Sequence, residues 1–313
     1  MEHRGDLGPL VDQGVLLTSR ALASGWSRSA LSRRLTAESW TRIRHGAWAE
    51  PGRPVDAAVR LRAAQLLHPR LVVSHGSAAR LWQIETLDAD PAAPVELTDP
   101  DLRSHPRAPG VRVHRIPLDA ADVAVRQGLR VTDVARTLAD LLRAGPRDDA
   151  LVSVESALGH RRVDGTRRPP LTTPAALAVA LEPPLLGADR ARRHLRLADR
   201  GSGSPAETMA RLHMHDAGLH PETQAEVHTR TGHRRYLDFL FRKEGLAVEI
   251  EGYAYHGTRD SHRRDLTRFN EILQCPQIRT LLRFSAEDVF HAPARILREI
   301  HTTLATLSAA GRW

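Results

Sequence analysis

The chain has 313 residues, 41% of them hydrophobic, and a formal net charge of +8. This length fits two or three domains. No apolar run approaches the roughly 18 residues needed to cross a membrane. The N-terminus lacks the apolar stretch of a secretory signal, so we expect a cytoplasmic protein. The single cysteine excludes an intramolecular disulfide and a cysteine-based zinc site.

The positive charge favours a polyanionic partner. Neutralising phosphates is the general source of affinity for nucleic acid, so DNA, bound through its phosphate backbone, is the expected partner. Composition offers an alternative explanation, because Lys243 is the only lysine while arginine and alanine are abundant, as a GC-rich genome would supply.

The first region, residues 1–54, has the order helix, turn, helix and hairpin. Gly25 ends a first short helix, and Ser27 caps a second one that runs to about Ala37. Residues 40–49 then alternate like two paired strands. This order predicts a winged helix-turn-helix.

The second helix of this region has a buried and an exposed side. Leu31 and Leu35 fall on the buried side. The candidate DNA-binding residues are Arg28, Ser32 and Arg33 on the exposed side and Arg42 and Arg44 on the hairpin. A basic helix suits the major groove, and arginines on the hairpin suit phosphates. The alternative is a solvated basic helix in a small helical subdomain.

The middle region, residues 55–200, mixes both kinds of element. Helices are predicted at about 55–67, 77–82 and 132–142, and strands at 95–98 and 111–116. The segment 159–196 is rich in Arg, Pro and Ala and is expected to form weakly ordered connections with one or two helices. Residues 201–203, Gly-Ser-Gly, are predicted to be a flexible joint between domains.

The third region, residues 201–313, is the most legible. Its first helix opens with the capping box Ser204-Pro205-Ala206-Glu207. Strands are predicted at 223–227, 236–241, 246–250 and 278–284, and further helices at about 260–273 and 292–304. The order αβββαβα predicts a mixed sheet between helices. The whole chain is therefore expected to be an α/β (α+β) multidomain protein.

Residues 236–251 are predicted to form a hairpin that carries paired carboxylates. Pairing outward from its turn places Phe239 opposite Val248 and Asp238 opposite Glu249. Directly opposed acids destabilise a sheet unless a cation lies between them, and Mg²⁺ is held by a few carboxylate oxygens. The alternative is an exposed face with ordinary surface acids, because a slip of one residue moves every side chain to the other face.

Further residues are candidates to join this pair. Alternation places Glu251 on the same face as Glu249. His256 lies just beyond the strand and could act as a general acid or base, or be structural. Glu207 fits the capping box but could also point at the metal.

Asp265 and Arg268 are spaced three residues apart on the following helix. They could form a surface ion pair that contributes little, or they could support the site.

Six separated motifs in this region have a familiar order. They are Ser-Pro-Ala-Glu at 204–207, Tyr-Leu-Asp-Phe-Leu-Phe at 236–241, Ala-Val-Glu-Ile-Glu-Gly at 247–252, Tyr-His at 255–256, Arg-Arg-Asp-Leu-Thr-Arg at 263–268 and Leu-Leu-Arg-Phe at 281–284. Together they resemble the very-short-patch-repair-like (Vsr-like) branch of the PD-(D/E)XK endonucleases.

The resemblance implies a restriction-endonuclease-like fold and metal-dependent phosphodiester hydrolysis with Mg²⁺ or Mn²⁺. It implies that Asp238 and Glu249 are metal ligands, with Glu207 and His256 as helpers and Arg283 in a supporting role. Glu251 stands where the superfamily usually has a lysine, which puts activity in question, although the Vsr-like branch commonly lacks that lysine.

The N-terminal motifs are Gly-Val-Leu-Leu-Thr at 14–18, Gly-Trp-Ser at 25–27 and Trp-Thr-Arg-Ile-Arg-His-Gly-Ala-Trp at 40–48. They resemble the AbiEi-type antitoxin domain, a winged helix of bacterial toxin-antitoxin systems. This resemblance implies DNA binding and allows a toxin partner or a homodimer. The expected function is a DNA-targeted endonuclease in bacterial defence or repair. The alternatives are a transcriptional regulator or antitoxin with an inactive nuclease fold, and RNA as the substrate.

Overall fold

The computed structural model describes residues 6–87, 90, 92–103, 109–163, 165–251 and 268–310. The protein is of the mixed α/β kind and divides into two compact units. The first unit comprises residues 1–84 and 88–141, and the second comprises residues 85–87 and 142–313. Among the described helices, none is long and apolar enough to span a membrane.

The first unit begins with a small antiparallel sheet. Its elements are β1 (Val11–Asp12), β2 (Val15–Leu17), α1 (Thr18–Ala23), α2 (Arg28–Ala37), β3 (Thr41–Arg44) and β4 (Ala47–Ala49), with strand order β1-β2-β4-β3. The Ser27 hydroxyl caps α2 by accepting a hydrogen bond from the Ala30 N–H at 3.2 Å, as predicted. Leu31 and Leu35 are buried, so the predicted inner face of α2 is confirmed.

A five-stranded mixed sheet completes this unit. Its elements are α3 (Ala57–Leu67), β5 (Val72–Val73), α4 (His75–Leu81), β6 (Val95–Asp99), β7 (Val111–Arg115), β8 (Val123–Arg126) and β9 (Leu129–Thr132), with strand order β7-β6-β5-β9-β8. The next helix, α5 (Val134–Ala144), crosses the boundary between the units. The predicted helices and strands of this segment are confirmed to within a few residues.

The second unit starts well before residue 201. Its first elements are α6 (Arg147–Leu158), β10 (Arg161–Val163), β11 (Thr166–Arg168), α7 (Pro174–Ala180), α8 (Ala188–Leu195) and α9 (Pro205–Asp216). Buried Glu155 on α6 accepts a hydrogen bond from the Thr208 hydroxyl at 2.7 Å and pairs with Arg211, both on α9. These contacts join 142–200 to the region that follows, so the division differs from the predicted boundaries at 54 and 200.

The expected flexible joint at 201–203 is an ordered part of this unit. The Gly201 N–H donates to the Asp199 carboxylate at 2.8 Å, and Ser202 is only 1% exposed. Ser202 is therefore packed inside the unit, although Gly203 is exposed.

A four-stranded mixed sheet forms the centre of the second unit. Its strands are β12 (Glu222–His228), β13 (Arg234–Phe241), β14 (Leu246–Glu251) and β15 (Thr280–Ser285), in that spatial order. The helices that follow β14 are α10 (residues 268–273), α11 (Ala286–His291) and α12 (Pro293–Ala310). The first three strands are antiparallel, and β15 runs parallel to β14. The predicted mixed sheet is confirmed, and α11 is an additional helix.

Strand β14 is buried on both faces of this sheet. On one face Val248 and Ile250 pack against apolar residues of α9, α11 and α12. On the other face Ala247 packs against Ile272 of α10. Five of its six residues are buried, so Glu249 carries its carboxylate into the interior of the unit.

Candidate active site

The site lies where β13 and β14 separate. Phe239 pairs with Val248, as predicted, and the paired register ends at that position. Beyond it, the Asp238 carboxylate accepts a hydrogen bond from the Ile250 N–H at 2.8 Å. Asp238 and Glu249 therefore flank the point where the ladder opens.

Glu249 is a buried carboxylate with an acidic neighbour. Its residue is 4% exposed. Burial and the charge of Asp238 raise the pKa of Glu249 to about 7, although the Arg268 guanidinium opposes the shift. Burial likewise raises the pKa of Asp238, against hydrogen bonds from Ile250 and Gln224 and the charge of Arg268. Such perturbed groups cluster at functional sites.

Glu207 belongs to the helix cap, and its carboxylate lies in the electrostatic environment of Asp238. The Ser204 hydroxyl accepts the Glu207 N–H at 3.2 Å, which caps α9 as predicted. The Glu207 carboxylate accepts the N–H of Gly203 at 2.6 Å, one residue before the cap. Burial and the charge of Asp238 raise the pKa of Glu207 to about 7. The helix start thus delivers a third carboxylate to Asp238.

Gln224 is a site residue that the sequence analysis did not identify. Its side-chain amide donates to Glu207 at 3.3 Å and to Asp238 at 3.2 Å. Its φ of +46° is unusual for a residue other than glycine and costs roughly 1 to 3 kcal/mol. The β12–β13 register, with Thr223 opposite Phe239, would have placed Gln224 beside Asp238.

Arg268 brings a positive charge to the site. Its guanidinium lies 3.0 Å from the Glu249 carboxylate and donates to the Tyr236 carbonyl at 2.9 Å. The sequence left two roles open for Arg268, a surface ion pair or a residue that supports the site. Its position beside buried Glu249 favours the second role.

Glu251 departs from its predicted role. It forms an ion pair with Arg283 on β15, and that guanidinium stacks 3.6 Å from the centre of the Phe269 ring. Its carboxylate is therefore occupied by a salt bridge instead of joining Asp238. His256 and Asp265 lie outside the described residues.

The donor set fits a hard divalent cation held by few protein ligands. Within the described residues, no three His, Cys, Asp or Glu side chains form a complete metal site. Mg²⁺ usually binds one or two carboxylates and completes its shell with water and substrate phosphate. Asp238 and Glu249 are the carboxylates that would hold such an ion.

In the first unit, the predicted DNA-binding side chains lie on one helix and one hairpin. Arg28, Ser32 and Arg33 on α2 and Arg42 on β3 are exposed. Arg44 is half-buried, and burial lowers its pKa. The exposed face of α2 is therefore the basic one, as predicted.

The sequence matches no protein-family model and no curated protein sequence. A crystal structure of the RV2827C protein from Mycobacterium tuberculosis is similar over 68% of this chain and 83% of that chain, with 22% identity and a TM-score of 0.42. This similarity is too distant to assign an activity.

Proposed function

We propose that the second unit is a metal-dependent endonuclease that hydrolyses phosphodiester bonds of DNA, with Asp238 and Glu249 holding Mg²⁺ or Mn²⁺. The observation that carries the proposal is the placement of these two carboxylates at the opening of one strand pair, where burial raises the pKa of both.

The alternative of ordinary surface acids does not fit this placement. Glu249 is 4% exposed, and burying a carboxylate beside another costs several kcal/mol unless a cation compensates. Among the described residues, Arg268 is the cation that pairs directly with Glu249, in a cluster of acids that also includes Asp238 and Glu207. A divalent cation would restore the balance of charge.

Each side chain of the site has a separate role in the proposed hydrolysis. A bound divalent cation would stabilise the charge that develops on the phosphate oxygens. Glu207, with a pKa of about 7, can accept a proton from the water that attacks phosphorus. The bond from phosphorus to the leaving oxygen breaks as the new P–O bond forms, and the leaving oxygen takes a proton from solvent. Gln224 fixes Glu207 relative to Asp238 through its amide. Arg268 holds Glu249 in place and limits the repulsion between the acids.

The proposal is tested with purified protein on supercoiled plasmid and on single-stranded, duplex and mismatched oligonucleotides, each with Mg²⁺ and with Mn²⁺. We expect nicking or cutting of at least one substrate that EDTA abolishes. A parallel RNA oligonucleotide identifies the nucleic acid that is cut. Protein that is inert on every substrate with both metals would refute the proposal.

Gln224 offers a test of the site that separates activity from stability. Q224G and Q224A should both lose at least ~10-fold in cleavage rate, because each removes the amide that orders two carboxylates. Glycine tolerates the φ of +46° and alanine does not, so Q224G should be more stable than Q224A by roughly 1 kcal/mol. Thermal unfolding and initial cleavage rates provide both readouts, and full activity in both variants would reduce Gln224 to a structural role.

We further propose that α2 and the β3–β4 hairpin form a winged helix that binds DNA. R28Q and R33Q should each weaken binding to duplex DNA and reduce its salt dependence by about one unit of slope, because each removes a phosphate or base contact. R34Q is the matched control, since it removes the same charge from an exposed position on the same helix that is not among the predicted DNA-binding residues. Equal effects of all three variants in fluorescence anisotropy would contradict a localised binding face.

A transcriptional regulator or antitoxin with an inactive nuclease fold is the second candidate. It is favoured by Glu251, which stands at the usual lysine position and is held by Arg283. Lys243 is the only lysine of the chain and lies at the β13–β14 turn, so no lysine follows Glu249 at the position where the superfamily usually has one. This candidate predicts sequence-specific binding to the protein's own promoter without cleavage, and a gel-shift assay run beside the nicking assay distinguishes the two.

A further inference from the structure

The short β10–β11 hairpin carries an unusual density of positive charge. Residues 161–168 read Arg-Arg-Val-Asp-Gly-Thr-Arg-Arg, with four arginines and one aspartate. Its register places Arg161 opposite Arg168 and Arg162 opposite Arg167. Two pairs of like charges therefore face each other across one small hairpin, where such pairs are destabilising.

The buried pair, Arg161 and Arg168, anchors the hairpin to the second unit. Arg161 donates to the Glu85 carboxylate at 2.6 Å, and its side chain is 3% exposed. Arg168 donates to the Ser156 carbonyl at 2.7 Å. Burial and the charge of Arg161 lower the pKa of Arg168. The inward positions, which apolar residues usually occupy in a hairpin, are thus used to bury guanidinium groups.

The other pair, Arg162 and Arg167, faces solvent. Arg162 and Arg167 are exposed and, as directly opposed residues, have Cβ atoms about 5 Å apart. Arg162 donates to the Gly165 carbonyl at 3.3 Å. Within the described part of the chain, neither guanidinium forms an ion pair with a carboxylate. An anion that bound both side chains would relieve their mutual repulsion.

This hairpin adjoins the candidate active site. An open cleft of about 660 Å³ has Arg161, Arg162 and Arg167 in its lining, together with Gly203 and with Glu85, the acid that pairs with Arg161. The Gly203 N–H is the group that holds the Glu207 carboxylate, at 2.6 Å.

We propose that the β10–β11 hairpin is the phosphate-binding surface of the site, and that Arg162 and Arg167 hold the backbone of the polynucleotide strand that reaches Glu207. Guanidinium groups bind phosphate in a bidentate manner, and two adjacent ones suit a chain of phosphates. The substrate class rests on the proposed function, but binding by the hairpin does not require cleavage.

The test compares R162Q/R167Q with R193Q/R298Q in full-length protein. The control pair removes the same charge from exposed positions on α8 and α12 of the same unit. Binding of fluorescein-labelled single-stranded DNA, duplex DNA and single-stranded RNA is followed by anisotropy without divalent metal over a range of salt concentrations. R162Q/R167Q should bind at least one probe ~10-fold or more weakly and with a slope shallower by about two units, because two phosphate contacts are lost. R162K/R167K should recover much of the affinity.

Measurements of stability and cleavage distinguish failure of the hairpin proposal from failure of the endonuclease proposal. R162Q/R167Q should unfold at the same or a higher temperature than the wild-type protein, because the opposed charges are removed. If it binds like R193Q/R298Q, or if the wild-type protein binds none of the probes, the hairpin proposal is overturned. If it loses binding while the wild-type protein cuts nothing, the hairpin proposal stands and the endonuclease proposal fails.

Discussion

Replacing Asp238 with asparagine should reduce metal-dependent cleavage by at least ~10³-fold, because several kcal/mol of transition-state charge stabilisation depend on the bound cation. Asparagine keeps an oxygen that can accept the Ile250 N–H, which Asp238 accepts at 2.8 Å. The fold is therefore expected to survive the substitution. Initial rates of plasmid nicking with saturating Mn²⁺ measure the loss.

E226Q is the matched control for this experiment. Glu226 is an exposed acid on β12 of the same sheet, where it accepts a hydrogen bond from the Tyr236 hydroxyl at 3.1 Å. Its cleavage rate should stay within about twofold of the wild-type rate, as is usual for a surface change remote from the chemistry. If D238N retained the rate of E226Q, Asp238 would not be a metal ligand of the reaction.

The same substitution should stabilise the metal-free protein. The charge of Asp238 raises the pKa of both Glu207 and Glu249, so its removal relieves repulsion inside the unit. Near pH 8, D238N should unfold in EDTA at a temperature equal to or higher than the wild-type protein. A gain in stability with a loss of activity is the pattern expected of an active-site charge.

The second large effect concerns pH and metal together. The pKa of about 7 for Glu207 and Glu249 lies above the ordinary value of 4.5. Between these values the native protein keeps protons that the unfolded chain has lost, so stability falls as pH rises. The contribution is fully present below about pH 4.5 and is lost as pH rises through about 7.

A divalent cation should reverse this loss. It binds the deprotonated carboxylates and stabilises the native state according to its concentration and affinity. Mn²⁺ should therefore raise the unfolding temperature more at about pH 8.5 than at about pH 5.5, where it competes with protons. E249Q should lose much of both the pH dependence and the response to Mn²⁺.

The two-unit architecture allows the effect to be located. Four of the five tryptophans, Trp26, Trp40, Trp48 and Trp82, belong to the first unit. Tryptophan fluorescence in a W313F protein should therefore follow the first unit, while calorimetry reports both. The pH and Mn²⁺ effects should appear in a calorimetric transition that fluorescence does not follow. A response seen only in the fluorescence signal would place the metal in the first unit and contradict the proposed site in the second.

Local patterns predicted much of this site. The pairing of Phe239 with Val248 followed from a short turn and strict alternation, both of which are local properties. The capping role of Ser204 followed from a four-residue motif. The burial of Glu249 could not be read in this way, because it depends on neighbours on both sides of β14.

The misjudged features depend on distant contacts or on reversed polarity. Glu251 pairs with Arg283 only because β15 runs parallel to β14, a register that sequence spacing does not determine. The hairpin at residues 161–168 lies in the segment that is expected to be weakly ordered from its Arg-, Pro- and Ala-rich composition. Its inward positions are arginines, so the apolar alternation that would predict paired strands is missing.

The most direct test of the central claim is an anomalous difference map from a crystal of the protein soaked in Mn²⁺. We expect one peak between the carboxylates of Asp238 and Glu249, and its disappearance in crystals of D238N. A fully soaked, well-ordered crystal with no peak at these carboxylates would contradict the assignment of Asp238 and Glu249 as the metal ligands of a nuclease.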